Sequence, residues 1–155
     1  MLVQNNAGVI SEIKTVWYAG TDTLQEGYLL CYDVAASPTD SIPRQRLGQQ
    51  VVKPATANLM AFAGVVTPES AGKTGPCFVD ILVPRTGEFV NFWTQDNLTA
   101  FSSYIGPQNG SYAAAVVAAP AALANVQANE AQAVAQAAVT ANNTVTAAVA
   151  LARFV

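Results

Sequence analysis

GPCFVDILVPRTGEFVNFW, residues 75–93, carries the densest strand signal in the chain. Cys77, Val79, Ile81 and Val83 share one parity of its first run. Phe89, Asn91 and Trp93 alternate with Val90 and Phe92 in its second. Period two places alternate residues on one face of a strand, and Val, Ile, Phe and Trp suit a half-buried pleated surface. Pro84-Arg85-Thr86-Gly87 stands between the runs. Pro fixes one φ and Gly permits a positive one, so the stretch predicts two strands joined as a hairpin.

Working outward toward the N-terminus, VISEIKTVWY over 9–18 reads as a strand because β-branched and aromatic residues dominate it. Val9, Ile13 and Trp17 fall on one parity, Glu12 and Lys14 on the other. Residues 1–8 are polar or small and predict a flexible arm, expected to order on a partner surface. Ala19-Gly20-Thr21-Asp22 is a turn, and strands are predicted over 27–33, 47–53 and 59–66. The segment 35–44, with Pro38 and Pro43, predicts a surface loop, and 67–74 a second loop. Beyond the hairpin, 95–110 predicts mostly loop, with Gly106-Pro107 as a breaker, and 111–118 a short strand. Short strands at close spacing imply a mainly β fold, a small β-barrel or β-sandwich.

The last third changes character. From Ala113 onward the only charges are Glu130 and Arg153. Alanine is the best helix former, and 121–141 is dense with it, following Pro120 at a position suited to a first turn. One Ala-rich helix is therefore predicted over 121–141, with Leu123, Val126, Glu130, Val134 and Ala138 near one face. The helix is expected to pack on the barrel or on another subunit. Asn142-Asn143 predicts a stop, and the alternation of Val145, Ala147, Val149 and Leu151 predicts a closing strand. The organisation expected is an arm at 1–8, a β-rich core at 9–118, and a helix and strand at 119–155 within the same domain.

A chain of 155 residues can bury one core of ordinary size. Hydrophobic residues make up 52% and charged residues only 11%, against about 25% in soluble domains. So little charge suggests that other protein covers much of the surface. A net charge of −3 and no Lys/Arg run argue against nucleic acid as a partner. No basic n-region or long apolar h-region opens the chain, so no secretory signal is expected. The longest apolar run, 113–124, contains Pro120 and falls short of the roughly 20 residues a membrane helix needs. Cys31 and Cys77 both fall in predicted strands and read as buried reduced thiols.

Histidine is absent. That removes the usual general base and the commonest metal ligand, and two distant Cys make no zinc site. Asp33, Asp80, Glu88 and Asp96 could in principle form a carboxylate pair, yet scattered acidic residues are usually solvated. Gly72-Lys73-Thr74 imitates the end of a phosphate-binding loop, but Thr67 replaces the earlier Gly and a strand follows instead of a helix. Trp17, Tyr18, Phe92 and Trp93 are candidates for a binding face, with core packing as the default. No catalytic, cofactor-binding or metal-binding residue is expected, no cofactor, and no enzyme activity.

Several words of the sequence resemble a known family. They are AGTD at 19–22 with GYLLCYD at 27–33, VKPATANL at 52–59 with FAGVV at 62–66, and SAGKTGPC at 70–77. They resemble small decoration (cement) proteins of tailed-bacteriophage capsids, over residues 9–93. The resemblance implies a β-rich module on the outside of an icosahedral head, bound to the major capsid protein, often as a trimer. It implies no catalysis and no membrane. The alternative expectation is a tail or fibre module that recognises a host glycan or protein, which an aromatic cluster beside a groove would favour.

Overall fold

The computed structural model describes residues 12–84, 89–94, 104–117, 133–135 and 144–150. Ten strands form two closed five-stranded rings. The first barrel comprises β1 (Glu12–Tyr18), β2 (Leu29–Tyr32), β3 (Gln50–Val52), β4 (Phe62–Val66) and β5 (Cys77–Val83). The second comprises β6 (Phe89–Thr94), β7 (Tyr104–Gln108), β8 (Ser111–Val117), β9 (Ala133–Ala135) and β10 (Thr144–Ala150). The mainly β barrel expected from the strand pattern is thus present twice.

The two strands of 75–93 exist, but not as a hairpin. β5 pairs with β1 and β4, whereas β6 pairs with β10 and β8. An alternating strand is satisfied by any antiparallel partner in the right phase. Here β1 meets β5 along its full length, from Glu12↔Val83 to Tyr18↔Cys77, and that long ladder outweighs sequence proximity. Of the predicted turn at 84–87, residues 85–87 lie outside the described residues; the segment 85–88 links the two barrels in sequence.

Other boundaries were corrected as well. Gly106-Pro107 lies inside β7. Pro107 stands beside a register shift against β8, a place where a missing N–H is tolerated. The strand expected at 59–66 begins at Phe62, because Leu59–Ala61 form a 3-10 turn. Ala133–Ala135, inside the predicted helix, form a strand between β7 and β10, so tertiary pairing overrides alanine's helical propensity there. The rest of 121–141, and the arm at 1–8, lie outside the described residues. β10 is the predicted closing strand.

Both rings have one topology. In each, the first strand runs parallel to the third and antiparallel to the fifth, and the second and fourth close the ring. Their registers map onto one another. Trp17↔Phe78 becomes Trp93↔Val145, and Tyr18↔Val51 becomes Thr94↔Ala114. Leu29↔Val65 becomes Tyr104↔Val134, and Val65↔Leu82 becomes Val134↔Val149. Interior positions correspond too: Val16, Leu30 and Val51 match Phe92, Ile105 and Ala114, all buried. The described strands thus build one small-barrel topology twice in succession.

The cores are joined. Val16, Tyr18, Leu30, Val51, Val79 and Ile81 fill the first barrel. Val90, Phe92, Ile105 and Ala114 of the second pack against Leu29, Phe62 and Val65, which leave the first barrel on its outside. β2 and β4 are therefore buried on both faces, and LLC and FAGVV read as continuous apolar runs for that reason. Burying one such side chain stabilises by roughly 1.5–3 kcal/mol.

Gly64 lies against β5, and an added Cβ would sit 2.6 Å from the Leu82 carbonyl oxygen. The backbone on both sides belongs to the barrel wall and cannot yield freely. Gly64→Ala is expected to lower stability by about 1–3 kcal/mol, measured by chemical denaturation. An unchanged midpoint would show that the wall flexes.

Candidate functional site

The joint between the barrels carries the densest polar and aromatic cluster among the described residues. Gly27 adopts φ 82, which turns the chain sharply before β2. Its carbonyl accepts a hydrogen bond of 2.8 Å from the Trp93 backbone N–H at the end of β6. The Trp93 ring meets Tyr28 nearly at right angles, with centroids 5.6 Å apart. Tyr28 in turn lies parallel to Tyr112, at 4.9 Å and 3°. The ladder Trp93–Tyr28–Tyr112 thus alternates between the barrels and locks them.

Tyr112, at the start of β8, reaches back into the first barrel. Its hydroxyl donates to Asp22 Oδ2 at 2.8 Å. With its one proton committed there, it accepts from the Tyr18 hydroxyl in a short hydrogen bond. Lys53 Nζ sits 4.7 Å from the Tyr112 ring centroid and 3.8 Å from Asp22 Oδ2. Both partners of that ion pair are half exposed, so its contribution is small. Burial raises the Tyr112 pKa, helped by the Tyr18 and Asp22 hydrogen bonds. Burial raises Tyr18 as well.

These side chains wall a dent of about 220 Å³, lined by Tyr28, Lys53, Trp93, Ser111 and Tyr112. It offers aromatic walls, hydroxyls and an ammonium, a combination suited to a polar ligand with an apolar face. Nothing in it resembles an activated nucleophile.

The four aromatics singled out in the sequence divide evenly. Tyr18 and Phe92 are fully buried in the two barrels. Trp17 and Trp93 are half-buried at equivalent outward positions. Trp17 packs edge-on against Phe78 at 5.0 Å and lies under the Arg44 guanidinium at 4.8 Å. Sequence reading missed Tyr28, Tyr112, Lys53 and Asp22, since their convergence comes from the joint. Of the four candidate carboxylates, Asp33 accepts from Gln50 and Asp80 accepts from Thr15, while Glu88 and Asp96 lie outside the described residues. Among the described residues no group of three or more acidic or cysteine side chains gathers. Cys31 is buried and Cys77 half-buried. Lys73 of the imitated phosphate loop turns to Ser70 Oγ and the Phe78 carbonyl, and a strand follows it.

No family model matches the sequence. No curated protein matches it either. The fold is shared with a solved structure, the N base of the head fiber gp8.5 in bacteriophage phi29. The likeness has a TM-score of 0.52 and 8% identity, and covers 90% of this chain and 93% of that one.

The Tyr18–Tyr112–Asp22 relay predicts an alkaline response. Below the ordinary tyrosine value of 10.0 the protons stay on in both folded and unfolded states, and the pair adds no pH dependence. Above it the unfolded chain ionises while the folded chain resists, so stability falls with rising pH. Tyr112→Phe is expected to flatten that fall and to cost roughly 1–2 kcal/mol at neutral pH. Denaturation midpoints from neutral to strongly alkaline pH, with tyrosinate absorbance, measure both.

Proposed function

We propose that the chain is a structural protein of a tailed-phage virion, bound to the outside of the icosahedral head. The observation that carries this reading is the shared fold over nearly the whole of both chains with the base of a phage head fiber. Composition supports it: the sparse charge leaves a surface that other protein can cover. Large apolar side chains stand exposed, with Ile13 62%, Met60 55% and Phe78 51% accessible. The role is that of a decoration (cement) protein: a homo-oligomer, a trimer by preference, that binds the major capsid protein and needs neither cofactor nor catalysis. A specific interface buries about 1,600 Å² in total. If only the mature shell offers the complete surface, binding stabilises that shell by mass action.

A second reading is favoured by the aromatic dent at the joint. There the chain would serve as a fibre module whose Tyr28, Trp93, Tyr112 and Lys53 take a host-surface glycan.

Mixing purified protein with undecorated heads of the phage that encodes it separates the two. Electron microscopy is expected to show density at regular lattice sites, and heads with the protein should resist heating better than heads without it. Heads left bare would overturn the capsid reading. Saturable binding to host cells, lost in Trp93→Ala, would then favour the glycan reading.

A further inference from the structure

A second contact between the barrels is made by amide groups. Gln108 pairs with Ser111, so β7 and β8 are joined by a two-residue connection, Asn109-Gly110. Short hairpin connections favour Asn followed by Gly, because Gly takes a positive φ without steric cost, and Gly110 has φ 74. Both residues are exposed. Their amide groups are nonetheless committed to the first barrel, on the loop that follows β3. Asn109 Oδ1 accepts from the Thr56 backbone N–H at 3.0 Å. The Gly110 N–H donates to the Pro54 carbonyl at 2.9 Å. The receiving loop is held from its own side by buried Asn58, whose Oδ1 accepts from the Ala55 N–H at 2.7 Å and whose N–H donates to the Ala55 carbonyl at 2.8 Å. The Pro54 carbonyl and the Thr56 N–H are therefore presented at fixed positions.

The clamped pair is the single Asn-Gly step of the sequence. Asn is a thermolabile residue, and a following Gly has no side chain to shield its nitrogen. In deamidation, hydroxide takes the proton from the Gly110 nitrogen, which attacks Asn109 Cγ. A C–N bond forms, the Cγ–Nδ2 bond breaks, and Nδ2 leaves with a proton from water as ammonia. Water then opens the succinimide at one of its two carbonyls. One opening gives aspartate; the other routes the chain through the side-chain methylene and gives isoaspartate. The docked turn resists at both reacting groups. The Pro54 carbonyl holds the proton that must leave, and the Thr56 N–H holds the amide whose carbon must be attacked.

We infer that Asn109 is a site of spontaneous deamidation gated by the barrel joint: it reacts when the turn lifts off the 54–56 loop, and isoaspartate then keeps the turn from closing. The two products differ in consequence. Aspartate keeps the chain length and an acceptor oxygen for Thr56. Isoaspartate lengthens the main chain by a methylene between Gln108 and Ser111, so the bonds to Pro54 and Thr56 are no longer made together. Gly110, Ser111 and Tyr112 line the dent, so the change falls beside the Tyr112–Asp22 hydrogen bond. Asn58 serves as internal control, being buried and followed by Leu59, whose side chain crowds the attacking nitrogen. The inference rests on neither functional reading.

The full chain is incubated at mildly alkaline pH, folded in buffer or unfolded in urea. Peptide mass mapping follows Asn109, and enzymatic methylation identifies isoaspartate. Conversion is expected in both samples, slower in the folded chain by roughly tenfold or more, since there it proceeds through a local opening. Asn58 is expected to survive in the folded chain. Thr56→Pro deletes the N–H donor and is expected to bring the folded rate toward the unfolded one. Asn109→Asp is expected to melt with the wild type, and the chromatographically isolated isoaspartate form to melt lower. Equal folded and unfolded rates would overturn the inference. So would an Asn109 that persists in the folded chain while the unfolded chain is consumed, a folded Thr56→Pro that reacts no faster, or an isoaspartate form that melts with the wild type. If Thr56→Pro does not fold, the wild-type comparison decides alone.

Discussion

Everything in this molecule depends on β2 and β4 having no face to spare for water. Each turns alternate side chains into the first barrel and the rest onto the second. Leu29 and Val65 are outside one barrel and part of the core of the other. Small closed barrels have limited interiors, and the second barrel has Ala114 where the first has Val51. Its core is completed by side chains from its neighbour. Neither barrel's packing is therefore independent of the joint, and a change at Phe62 or Phe92 acts on both.

The polar ladder at the joint fixes what hydrophobic contact alone leaves loose. Burial of Leu29 against Phe92 is non-directional. The Trp93 N–H bond to Gly27, the Tyr28–Tyr112 stack and the Tyr18–Tyr112–Asp22 relay have geometry. They set the rotation of one barrel on the other. The same side chains wall the dent, so a ligand there would contact residues from both barrels.

How far the sequence reveals this depends on the range of the interaction. Period-two alternation found β1, β5, β6 and β10, because alternation is local. It also gave the inward parity of Val79 and Ile81. It could not tell which strand pairs with which, so β5 and β6 were read as a hairpin although the barrels divide between them. Gly106-Pro107 reads as a break until the bulge beside Pro107 is known. Ala133–Ala135 reads as helix because alanine's intrinsic preference is all that a single sequence offers. The joint residues Tyr28 and Tyr112 stayed hidden, being 84 positions apart and brought together only by docking.

The repeated topology was hidden for a related reason. Across the equivalent strands Trp17 and Trp93, and Val65 and Val134, keep the same residue, while Tyr18 is matched by Thr94 and Asp80 by Ala147. Inward positions need only be apolar and of fitting size, so two barrels of one topology can share parity while sharing few residues. The tryptophan is a different case, because it faces outward in both barrels. An outward aromatic has no core to hold it in place, and in the second barrel its role is visible as the contact with Tyr28. In the first barrel the same residue packs edge-on against Phe78 and lies under the Arg44 guanidinium, so its partners there come from its own barrel and the loop before β3.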